Sequence, residues 1–570
     1  MKQLFRFPSW LWKLVAPAIL MGALLLCSCG KDHWVPRTFD PGDNSLEVRK
    51  GSHRVALLED GRTALLYRLF LLRHAKHSIR IQTFILADDP IGVLVMEELV
   101  RAAQRGVTVE FLIDAMFTVV SPERLAMLSG INDRMKIRIY NPPTSQIDPN
   151  FLKLSGGAIT SWRRFNQRMH NKLLVVDDHV AICGGRNIAD EYYDADFNLN
   201  FLDLDIVVEG PLVQDMSKSF KEYWDSPLVV PIEDMHDVEA ASSEIIDKVS
   251  SPHISEAEIV GFEAERAHHE PLLRWHHVQH VAFWADPPHK PEPEEDPDAI
   301  ARRLGALLAQ TQEDLLIQSP YLVLSDQAIK VFKSLRERQV RIRVSTNSLA
   351  ATDNWLSYAH SLRQRRTMLR DLKFKIYEMK PFPDDLLRYM PNYNHLRAKA
   401  GRISSDEPPG PPDPKLCLHT KALVIDKRIS LVGTYNLDPR SARLNTENGV
   451  VIWDSSFAQY LSLKIGRDMD HANSWVVAKR FLPLPLEPLQ MLIEEVNELV
   501  MNITSLDVWP LRYSSLFDLE DGMEPVPPDH PEFYERYRKV GLFPGVEPLD
   551  LKPILVELTR MLTGLFRPLI

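Results

Sequence analysis

The chain has 570 residues, of which 45% are apolar and 25% charged, so it is long enough to bury more than one hydrophobic core. These proportions exclude a wholly disordered chain and a polytopic membrane protein. The formal charge of -10, from 67 basic and 77 acidic side chains, argues against a surface built to neutralise nucleic-acid phosphates. A local basic pocket remains compatible with that charge.

The amino terminus carries the features of a targeting segment. Lys2 and Arg6 precede an apolar run over 14–26, which is too short for a membrane-spanning helix. The sequence LCSCG at 26–30 resembles the lipobox of bacterial lipoproteins, which implies cleavage before Cys29 and lipid attachment to it. We therefore expect a lipid-anchored chain in the bacterial cell envelope that faces the periplasm, with the outer membrane favoured. An inner-membrane signal anchor is the alternative.

The first part of the mature chain alternates strand and helix patterns. Residues 78–85 (SIRIQTFI) predict a strand, 91–105 an amphipathic helix and 107–113 the next strand. Residues 135–140 (MKIRIY) predict a further strand before Asn141-Pro142-Pro143 breaks the pattern. The second part repeats this order, with a helix at 326–338 and strands at 314–319, 340–346 and 374–378. A repeat this long indicates two duplicated domains rather than a solenoid.

The remaining segments are less regular. The stretch 231–300 is rich in Pro and acidic residues and predicts a stiff connector with little periodic structure. Its histidines match no zinc-ligand spacing, so no metal is assigned. Apolar residues at helical spacing over 489–500, and apolar bulk over 551–570, predict helices that pack on the core or lie in a membrane interface.

The predicted fold class is therefore α/β, with two duplicated halves and a helical carboxyl-terminal region. The predicted segments are a signal segment at 1–29, a first half at 30–230, a connector at 231–300, a second half at 301–475 and a helical region at 476–570. Cys183 and Cys417 lie singly in apolar strand-like runs and are interpreted as core residues.

Each half contains the same five residues at the same spacing. A His is followed by a Lys two residues later, an Asp five residues further on, a Gly after seven more and an Asn after three more. The members are His170, Lys172, Asp177, Gly184 and Asn187 in the first half, and His419, Lys421, Asp426, Gly433 and Asn436 in the second. If each position matches by chance about once in twenty, a duplicate of all five is not expected by accident.

The chemistry of these side chains suits a phosphodiester. Residues two apart in a strand share a face, so the His and Lys of each motif are expected to project together. Two ammonium groups and two amides can hold phosphate oxygens and offset the charge of the transition state. One neutral imidazole can attack phosphorus while a protonated one gives its proton to the leaving alcohol, which requires two histidines. Two ordinary core histidines would not account for the paired lysines.

The motifs resemble the two HKD motifs of the phospholipase D superfamily, over about 78–453. The resemblance implies two α/β sandwich halves that form one active site, no metal or other cofactor, and a covalent phosphohistidine intermediate. It implies His170 as the nucleophile and His419 as the general acid and then base, although the order can be reversed. The candidate catalytic residues are His170, Lys172, Asp177, His419, Lys421 and Asp426, with Asn187 and Asn436 as phosphate ligands.

The same resemblance extends to residues around the motifs. Asp177 and Asp426 are expected to support the fold rather than touch substrate. Glu447 resembles the acidic residue that orients a catalytic His through its second ring nitrogen, and Asp203 is interpreted as its counterpart. The distance from Asn187 to Asp203 differs by five residues from the corresponding distance in the second half.

Residues 184–193 and 346–353 are similar to the bacterial cardiolipin synthase branch of the superfamily, and most similar to its third type. That resemblance implies a phosphatidyltransferase on membrane phospholipids, with phosphatidylethanolamine as donor and phosphatidylglycerol as acceptor. Hydrolysis to phosphatidic acid is the alternative, because water can enter at the second step. Complete motifs in both halves argue against a noncatalytic scaffold.

A nuclease of the same superfamily is a further hypothesis. Basic residues that could line a nucleic-acid groove are Arg163, Arg164, Arg168, Arg363, Arg365, Arg366 and Arg370. A phospholipid entrance or a solvated helix face explains them equally well. The acidic net charge and the presence of both motifs in one chain favour lipid over nucleic acid.

Overall fold

The computed structural model describes residues 48–148, 165–242, 273–290, 299–399, 413–480, 512–547 and 550–562. The proposed lipid-attachment residue Cys29 and the apolar pattern at 489–500 lie outside these ranges. Within them, no helix combines the length and the apolar character needed to cross a bilayer.

The first half consists of short strands with helices inserted between them. Its strands are β1 Arg49–Leu58, β2 Ser78–Thr83, β3 Leu86–Ala87, β4 Thr108–Asp114, β5 Thr118–Val119, β6 Met135–Tyr140, β7 Leu173–Val176, β8 Val180–Gly184, β9 Leu199–Leu202, β10 Asp205–Glu209 and β11 Val229–Pro231. Its helices are α1 Gly61–His74, α2 Pro90–Gln104, α3 Pro122–Ile131, α4 Leu212–Trp224 and α5 His236–Ser242. The side chains of Asp60, Asp89 and Ser121 cap α1, α2 and α3 by accepting hydrogen bonds from backbone N–H groups of the first turn.

The second half repeats this plan. Its strands, with one from the connector, are β12 His276–Ala285, β13 Asp314–Gln318, β14 Arg341–Asn347, β15 Lys375–Met379, β16 Lys415–Leu418, β17 Ala422–Ile425, β18 Ile429–Gly433, β19 Asn448–Trp453 and β20 Ser474–Lys479. Its helices are α6 Ile300–Ala309, α7 Asp326–Glu337, α8 Trp355–Arg366, α9 Leu386–Tyr389, α10 Tyr393–Lys399, α11 Pro439–Arg443 and α12 Ser455–Asp468. A π-helical turn at Thr367–Asp371 continues α8.

The ladders join both halves into one sheet of 18 strands that mirrors itself about the central pair β1–β12. From the centre outward the order is β1-β10-β8-β7-β2-β4-β6-β11 in the first half and β12-β19-β18-β17-β13-β14-β15-β20 in the second. In each half the three strands predicted from the repeat pair in parallel, and the others pair antiparallel. The sheet confirms the predicted duplication of an α/β half.

The two halves share a hydrophobic core. Leu173 and Val175 of β7 and Ala422 and Val424 of β17 belong to one buried cluster, together with side chains of α4 and α12. The alternate residues of the same strands pack into the separate core of each half. Burial on both faces explains why these strands are continuous apolar runs in the sequence, and it fixes the position from which both motifs approach the site.

The connector differs from the sequence prediction, because His276–Ala285 forms a central strand of the sheet. This strand pairs with β1 on one side and β19 on the other. His276 and Val278 are buried while His277 points outward, so the period-two pattern of a strand is present. The histidines hid that pattern, since they count as polar in a hydrophobicity reading.

The carboxyl-terminal region differs in part, because its described portion contains two strands as well as helices, one of which, over 552–562, lies within the predicted stretch 551–570. Its elements are β21 Ser514–Leu519, α13 Phe533–Arg536, β22 Tyr537–Gly541 and α14 Lys552–Leu562. Strand β21 pairs with β20, and β22 pairs with β21, so both extend the sheet of the second half. Short strands between polar turns give a weaker periodic signal than an apolar helix, which is why the prediction favoured helices.

Candidate active site

Each motif histidine follows a place where backbone segments from the two halves pair in parallel. Strand β9 of the first half pairs with β16 of the second, with Leu202 opposite Leu418. The residues that follow are Asp203 and His419, and the His419 N–H donates to the carbonyl of Leu202 at 2.8 Å. The pairing therefore brings a carboxylate of one half to the histidine of the other.

The second pairing has the same form. Met169 of the first half bridges Thr446 of the second in parallel, and the His170 N–H donates to the Thr446 carbonyl at 3.0 Å. The next residue after Thr446 is Glu447. His170 and Glu447 therefore emerge together, as Asp203 and His419 do on the other side.

The two histidine–carboxylate pairs cross between the halves. His170 Nδ1 lies 2.8 Å from Glu447 Oε2, and His419 Nδ1 lies 2.6 Å from Asp203 Oδ2. Sequence reasoning identified both carboxylates but not which histidine each would contact. Because Nδ1 is engaged in both rings, Nε2 is the nitrogen left to each imidazole for chemistry.

The motif lysines lie beside their own histidines, as expected, but not within strands. His170 and Lys172 occupy the extended segment before β7, and Lys172 Nζ donates to the His170 carbonyl at 2.7 Å. Lys421 Nζ donates to the His419 carbonyl in the same way. The prediction of strand conformation is wrong here because these residues leave the main sheet to pair with the other half.

The charges of the site are closely packed and shielded from water. His170 and His419 are each 5% exposed, Lys172 4% and Lys421 2%. Burial, followed by the charges of Lys172 and Lys421, holds the pKa of His170 well below its usual value. Burial and Lys421 lower the pKa of Lys172 to about 7. The site therefore holds two closely spaced lysines whose mutual repulsion an anionic phosphate would relieve.

The two carboxyl groups differ in proton affinity. Burial raises the pKa of Glu447 to about 7, against the opposing charge of Lys172. Burial would also raise the pKa of Asp203, but Lys421, His419 and Arg186 outweigh it and the net direction is downward. Asp203 is therefore ionised near neutral pH, whereas Glu447 is close to half protonated.

The two motif asparagines are not equivalent. Asn187 Oδ1 accepts from the Ile85 N–H at 3.0 Å, and its Nδ2 donates to the Tyr192 hydroxyl at 2.7 Å. The buried Oδ1 of Asn436 has no hydrogen-bond partner among the described residues. Asn436 is thus the amide with the more open hydrogen-bonding capacity, while Asn187 is already engaged at both ends.

The motif aspartates lie away from the histidines. Strand β7 separates Lys172 from Asp177, whose carboxylate accepts from the backbone N–H groups at 76–78 at 2.7 to 2.9 Å. Asp426 makes the same contacts with the N–H groups at 312–314 at 2.8 to 2.9 Å. Each Asp ties the turn after a motif strand to the start of β2 or β13, which agrees with a role in the fold and places neither in the reacting centre.

Aromatic side chains flank both histidines, and sequence reasoning did not identify them. Phe84 lies 4.9 Å from His170 between ring centroids, and Phe117 lies 4.3 Å from Phe84. Phe201 lies 4.7 Å from His419. Phe84 follows β2 and Phe201 lies in β9, so their positions near the ends of site-forming strands are the signal that could have revealed them.

The connector reaches the site through a buried ion pair. Lys290 Nζ lies 2.8 Å from Asp286 Oδ2, and it also donates to two backbone carbonyls, at Ser441 and Asn445. The same Asp286 oxygen accepts from the Glu447 N–H at 3.0 Å. The connector is therefore a support for Glu447, a role that its Pro-rich composition gave no means of predicting.

Two of the basic residues considered for a nucleic-acid groove are buried in ion pairs. Arg168 is buried, with its guanidinium 3.4 Å from Asp114, and Arg365 is buried against Glu378. Arg163 and Arg164 lie outside the described residues. Charged groups in such pairs stabilise the interior and cannot also track a phosphate backbone.

The described part of the chain contains no cluster of three or more potential metal ligands. Cys183 and Cys417 are buried free thiols, as predicted. Burial raises the pKa of both thiols, so neither is a ready thiolate nucleophile.

Comparison with known proteins identifies relatives over most of the chain. A family profile described as "Cardiolipin synthase, PLD-like domain" matches residues 69–224 and 304–469, one match in each half. Cardiolipin synthase C of Escherichia coli K12 is 31% identical over 413 residues, which cover 71% of this chain and 82% of that protein. An uncharacterized protein of Helicobacter pylori J99 is 31% identical over 433 residues, covering 74% and 79%.

Among solved structures, the phosphatidylserine synthase of Haemophilus influenzae Rd KW20 has a similar fold. It aligns with a TM-score of 0.50 at 15% identity, over 80% of this chain and 95% of that one. At this identity the likeness concerns the fold alone.

Proposed function

The chain belongs to the cardiolipin synthase family of phospholipase D-like proteins, and from this premise we propose that it transfers a phosphatidyl group from a glycerophospholipid to a lipid hydroxyl through a phosphohistidine. The observation that carries the proposal is the crossed pair of histidine–carboxylate contacts in a buried, lysine-rich site. One imidazole serves as nucleophile and the other as acid and then base.

His170 is the nucleophile in this proposal. Burial and the nearby lysines keep its imidazole neutral, and the Nδ1 contact with Glu447 leaves the lone pair of Nε2 for attack on phosphorus. The P–N bond forms as the P–O bond to the head-group alcohol breaks. In such a displacement the attacking nitrogen and the leaving oxygen lie roughly in line on opposite sides of the phosphorus. The leaving oxygen is therefore directed toward His419.

His419 is the acid and then the base. Burial and Lys421, whose Nζ lies 2.7 Å from Nδ1, lower the pKa of His419, while ionised Asp203 opposes them and favours the protonated ring. His419 gives its proton to the departing alkoxide. It then removes a proton from the incoming hydroxyl, whose oxygen attacks phosphorus as the P–N bond breaks, which restores neutral His170.

The phosphate is held by Lys172, Lys421, Asn187 and Asn436 in this scheme. Lys172 has a pKa of about 7 because burial and the charge of Lys421 oppose its protonation. A bound phosphate anion supplies the missing counter-charge, so Lys172 becomes fully protonated on binding. Asn436 and Asn187 each donate a side-chain N–H to a phosphate oxygen in this scheme, and the Asn187 amide is already oriented by its contact with the Tyr192 hydroxyl.

The acceptor decides whether the product is cardiolipin or phosphatidic acid. The burial of the four central side chains limits the entry of water, and it supports synthesis over hydrolysis. Phosphatidylethanolamine as donor and phosphatidylglycerol as acceptor are proposed from the resemblance of 184–193 and 346–353 to the third synthase type. Hydrolysis is the alternative function of the same site.

The decisive experiment uses the purified full chain in mixed micelles of labelled phosphatidylethanolamine and phosphatidylglycerol. Cardiolipin formation that is lost in His170→Ala supports the proposal, and phosphatidic acid as the sole product supports hydrolysis instead. His277→Ala, which alters an exposed histidine of β12, is the matched control and is expected to retain activity. Absence of both products together with DNA cleavage would overturn the assignment.

We also propose that Cys29 carries the lipid anchor and holds the enzyme at the periplasmic face of an envelope membrane, with the outer membrane favoured. The support is the LCSCG sequence at 26–30. Fatty-acid labelling of cells that express the chain is expected to mark wild type and not Cys29→Ser. Equal labelling of both would contradict the anchor.

A further inference from the structure

The side of the site that holds His419 also holds an exposed carboxylate, Asp353. The Tyr321 hydroxyl donates to Asp353 Oδ2 at 2.6 Å, and Cys417 Sγ lies 3.9 Å from Oδ1. Cys417 precedes His419 by two residues, so these contacts fix the carboxylate next to the proposed acid. Among the described residues, no Lys, Arg or His forms an ion pair with Asp353.

The first half has an apolar pair at the equivalent positions. Ile85 corresponds to Tyr321, because the carbonyls of these two residues accept from the hydroxyls of Thr83 and Ser319 two residues earlier. Val120 corresponds to Asp353, because each precedes the residue whose side chain caps the following helix. The apolar side chains of Ile85 and Val120 therefore take the places of the hydrogen-bonded Tyr321 and Asp353. The fold is duplicated, but at these two positions the first half has apolar side chains and the second half has a hydrogen-bonded carboxylate.

This placement of a carboxylate has an electrostatic cost for a phosphate site. Burial lowers the pKa of both His419 and Lys421, and the charge of Asp353 opposes this shift at both groups. The same negative charge repels a bound phosphate. A substrate with a positive charge near its phosphate turns this repulsion into attraction, whereas a neutral or anionic head group does not.

We propose that Asp353, held by Tyr321, binds the ammonium group of a zwitterionic phospholipid head group whose oxygen leaves toward His419. The inference rests on the proposed function and specifies its donor as a lipid with an amino-alcohol head group, such as phosphatidylethanolamine. In-line displacement from His170 directs the departing head group to the His419 side, and the short carbon chain of ethanolamine keeps its ammonium close to the departing oxygen. Ile85 and Val120 supply no charged group at the equivalent place in the first half.

The test compares two donors in the same mixed micelles. Release of ethanolamine from phosphatidylethanolamine and of glycerol from phosphatidylglycerol gives a selectivity ratio of the two kcat/KM values. Asp353→Asn removes the charge at constant size, and it is expected to lower this ratio about tenfold, the loss of one charge-assisted hydrogen bond. Asp353→Lys is expected to lower it further, because it repels the ammonium and attracts the anionic lipid.

Two comparisons make the result decisive. Asp521→Asn makes the same charge change at an exposed turn after β21 and is expected to keep the wild-type ratio. If Asp353→Asn changes kcat/KM for both donors by the same factor, Asp353 affects His419 and does not bind the head group. The inference then fails while the proposed function stands. If wild type releases neither head group, the proposed function itself fails.

Discussion

The His170–Glu447 and His419–Asp203 pairs are built alike but their carboxyl groups have different neighbours. Both pairs join the two halves through Nδ1, at 2.8 and 2.6 Å, and both follow a parallel backbone pairing. The pKa of Glu447 is nevertheless raised to about 7, whereas that of Asp203 is lowered. Duplication thus preserved the geometry of the pairs while their charge states diverged.

The difference arises from the charges beside each carboxyl group, since Lys421 and His419 lower the pKa of Asp203 most and Arg186 adds to them. The residues that follow the motif glycines contribute to this contrast. Arg186 follows Gly185 and donates to the Asp203 carbonyl at 2.6 Å, which adds positive charge beside the first carboxylate. The corresponding residues in the second half are Thr434 and Tyr435, and Thr434 offers Glu447 only a neutral hydroxyl. The cations around Asp203 outweigh its burial and keep it ionised, whereas Lys172 and the Thr434 hydroxyl do not outweigh the burial of Glu447.

Steric exclusion also explains why residue 185 is a glycine. A Cβ at this position would lie 2.2 Å from Asp203 Oδ1, so only glycine leaves room for this carboxylate. The second half has Thr434 at the same place and uses the space for a hydroxyl that bonds Glu447. The Gly-Gly and Gly-Thr sequences of the two motifs therefore encode the two kinds of carboxyl environment.

The largest expected effect comes from removing each histidine in turn. His170→Ala and His419→Ala are each expected to lower the rate on natural lipids by at least about a thousandfold. With a phosphatidyl ester of p-nitrophenol the departing nitrophenolate needs no proton, so His419→Ala is expected to release about one equivalent per enzyme in a burst and then stall for lack of a base. His170→Ala is expected to give no burst, because it lacks the nucleophile. Release of nitrophenolate measures both, and the reverse pattern would exchange the two roles.

The two carboxylates are expected to differ in magnitude and in pH dependence. Asp203→Asn is expected to cost about a hundredfold at every pH between 5 and 9, because a carboxyl with a lowered pKa is ionised throughout. Glu447 is protonated below pH 7, so Glu447→Gln resembles wild type there and falls behind it as pH rises through 7. Rate profiles of both variants against pH measure this contrast, and parallel profiles would contradict it.

The sequence allowed the duplicated fold and the main side chains of the site to be predicted. Five residues at one spacing identified His170, Lys172, His419 and Lys421, because local spacing determines which side chains of a motif lie together. Which carboxylate reaches which histidine depends on packing between halves across 277 residues, as in the His170–Glu447 contact. Periodicity within a half carries no information about such a contact.

The irregular spacing of Asp203 has a structural explanation. Between Asn187 and Asp203 the first half inserts a 3-10 turn at Asp190–Tyr192 and strand β9, whereas the second half reaches Glu447 through the short helix α11. Both routes end at a parallel pairing with the other half. The pairing constrains where each carboxylate lies but not how many residues separate it from the motif Asn. Spacing alone therefore gave a weaker prediction for Asp203.

A smaller effect is expected from the connector, which supports only one of the two pairs. Lys290→Met leaves Asp286 buried without its cation, and breaking such a pair is expected to destabilise the fold by about 3 kcal/mol. Asp286 accepts from the Glu447 N–H, so the change is also expected to displace the alkaline limb of the rate profile that Glu447 controls. Thermal unfolding and rate profiles measure the two effects.

The Lys290 prediction has an internal control in its readouts. A stabilising role alone would lower the melting temperature and leave the shape of the pH profile as in wild type, measured well below that temperature. We expect the pH–rate profile of Lys290→Met to shift while Asp203→Asn, added to Lys290→Met, has the same effect as in wild type. That result would show that the connector supports Glu447 and not Asp203. An unchanged profile would contradict the positioning role of the connector.

The smallest expected effect on catalysis concerns the part of the motif that did not diverge. Asp177 and Asp426 each accept three backbone N–H groups at the start of β2 or β13, and neither lies beside a histidine. Asp177→Ala and Asp426→Ala are each expected to lower the free energy of unfolding by about 1–3 kcal/mol, since three hydrogen bonds to a partly exposed carboxylate are lost. Denaturant unfolding measures this loss, with Asp521→Asn as a surface control.

At a temperature where both variants are folded, their rates are expected to stay within about threefold of wild type, which is less than the tenfold change that 1.4 kcal/mol of transition-state binding produces. A loss of a hundredfold or more in a folded Asp177 or Asp426 variant would return the aspartates to the reacting centre, and an effect in only one of them would show that the two halves have diverged at this position as well.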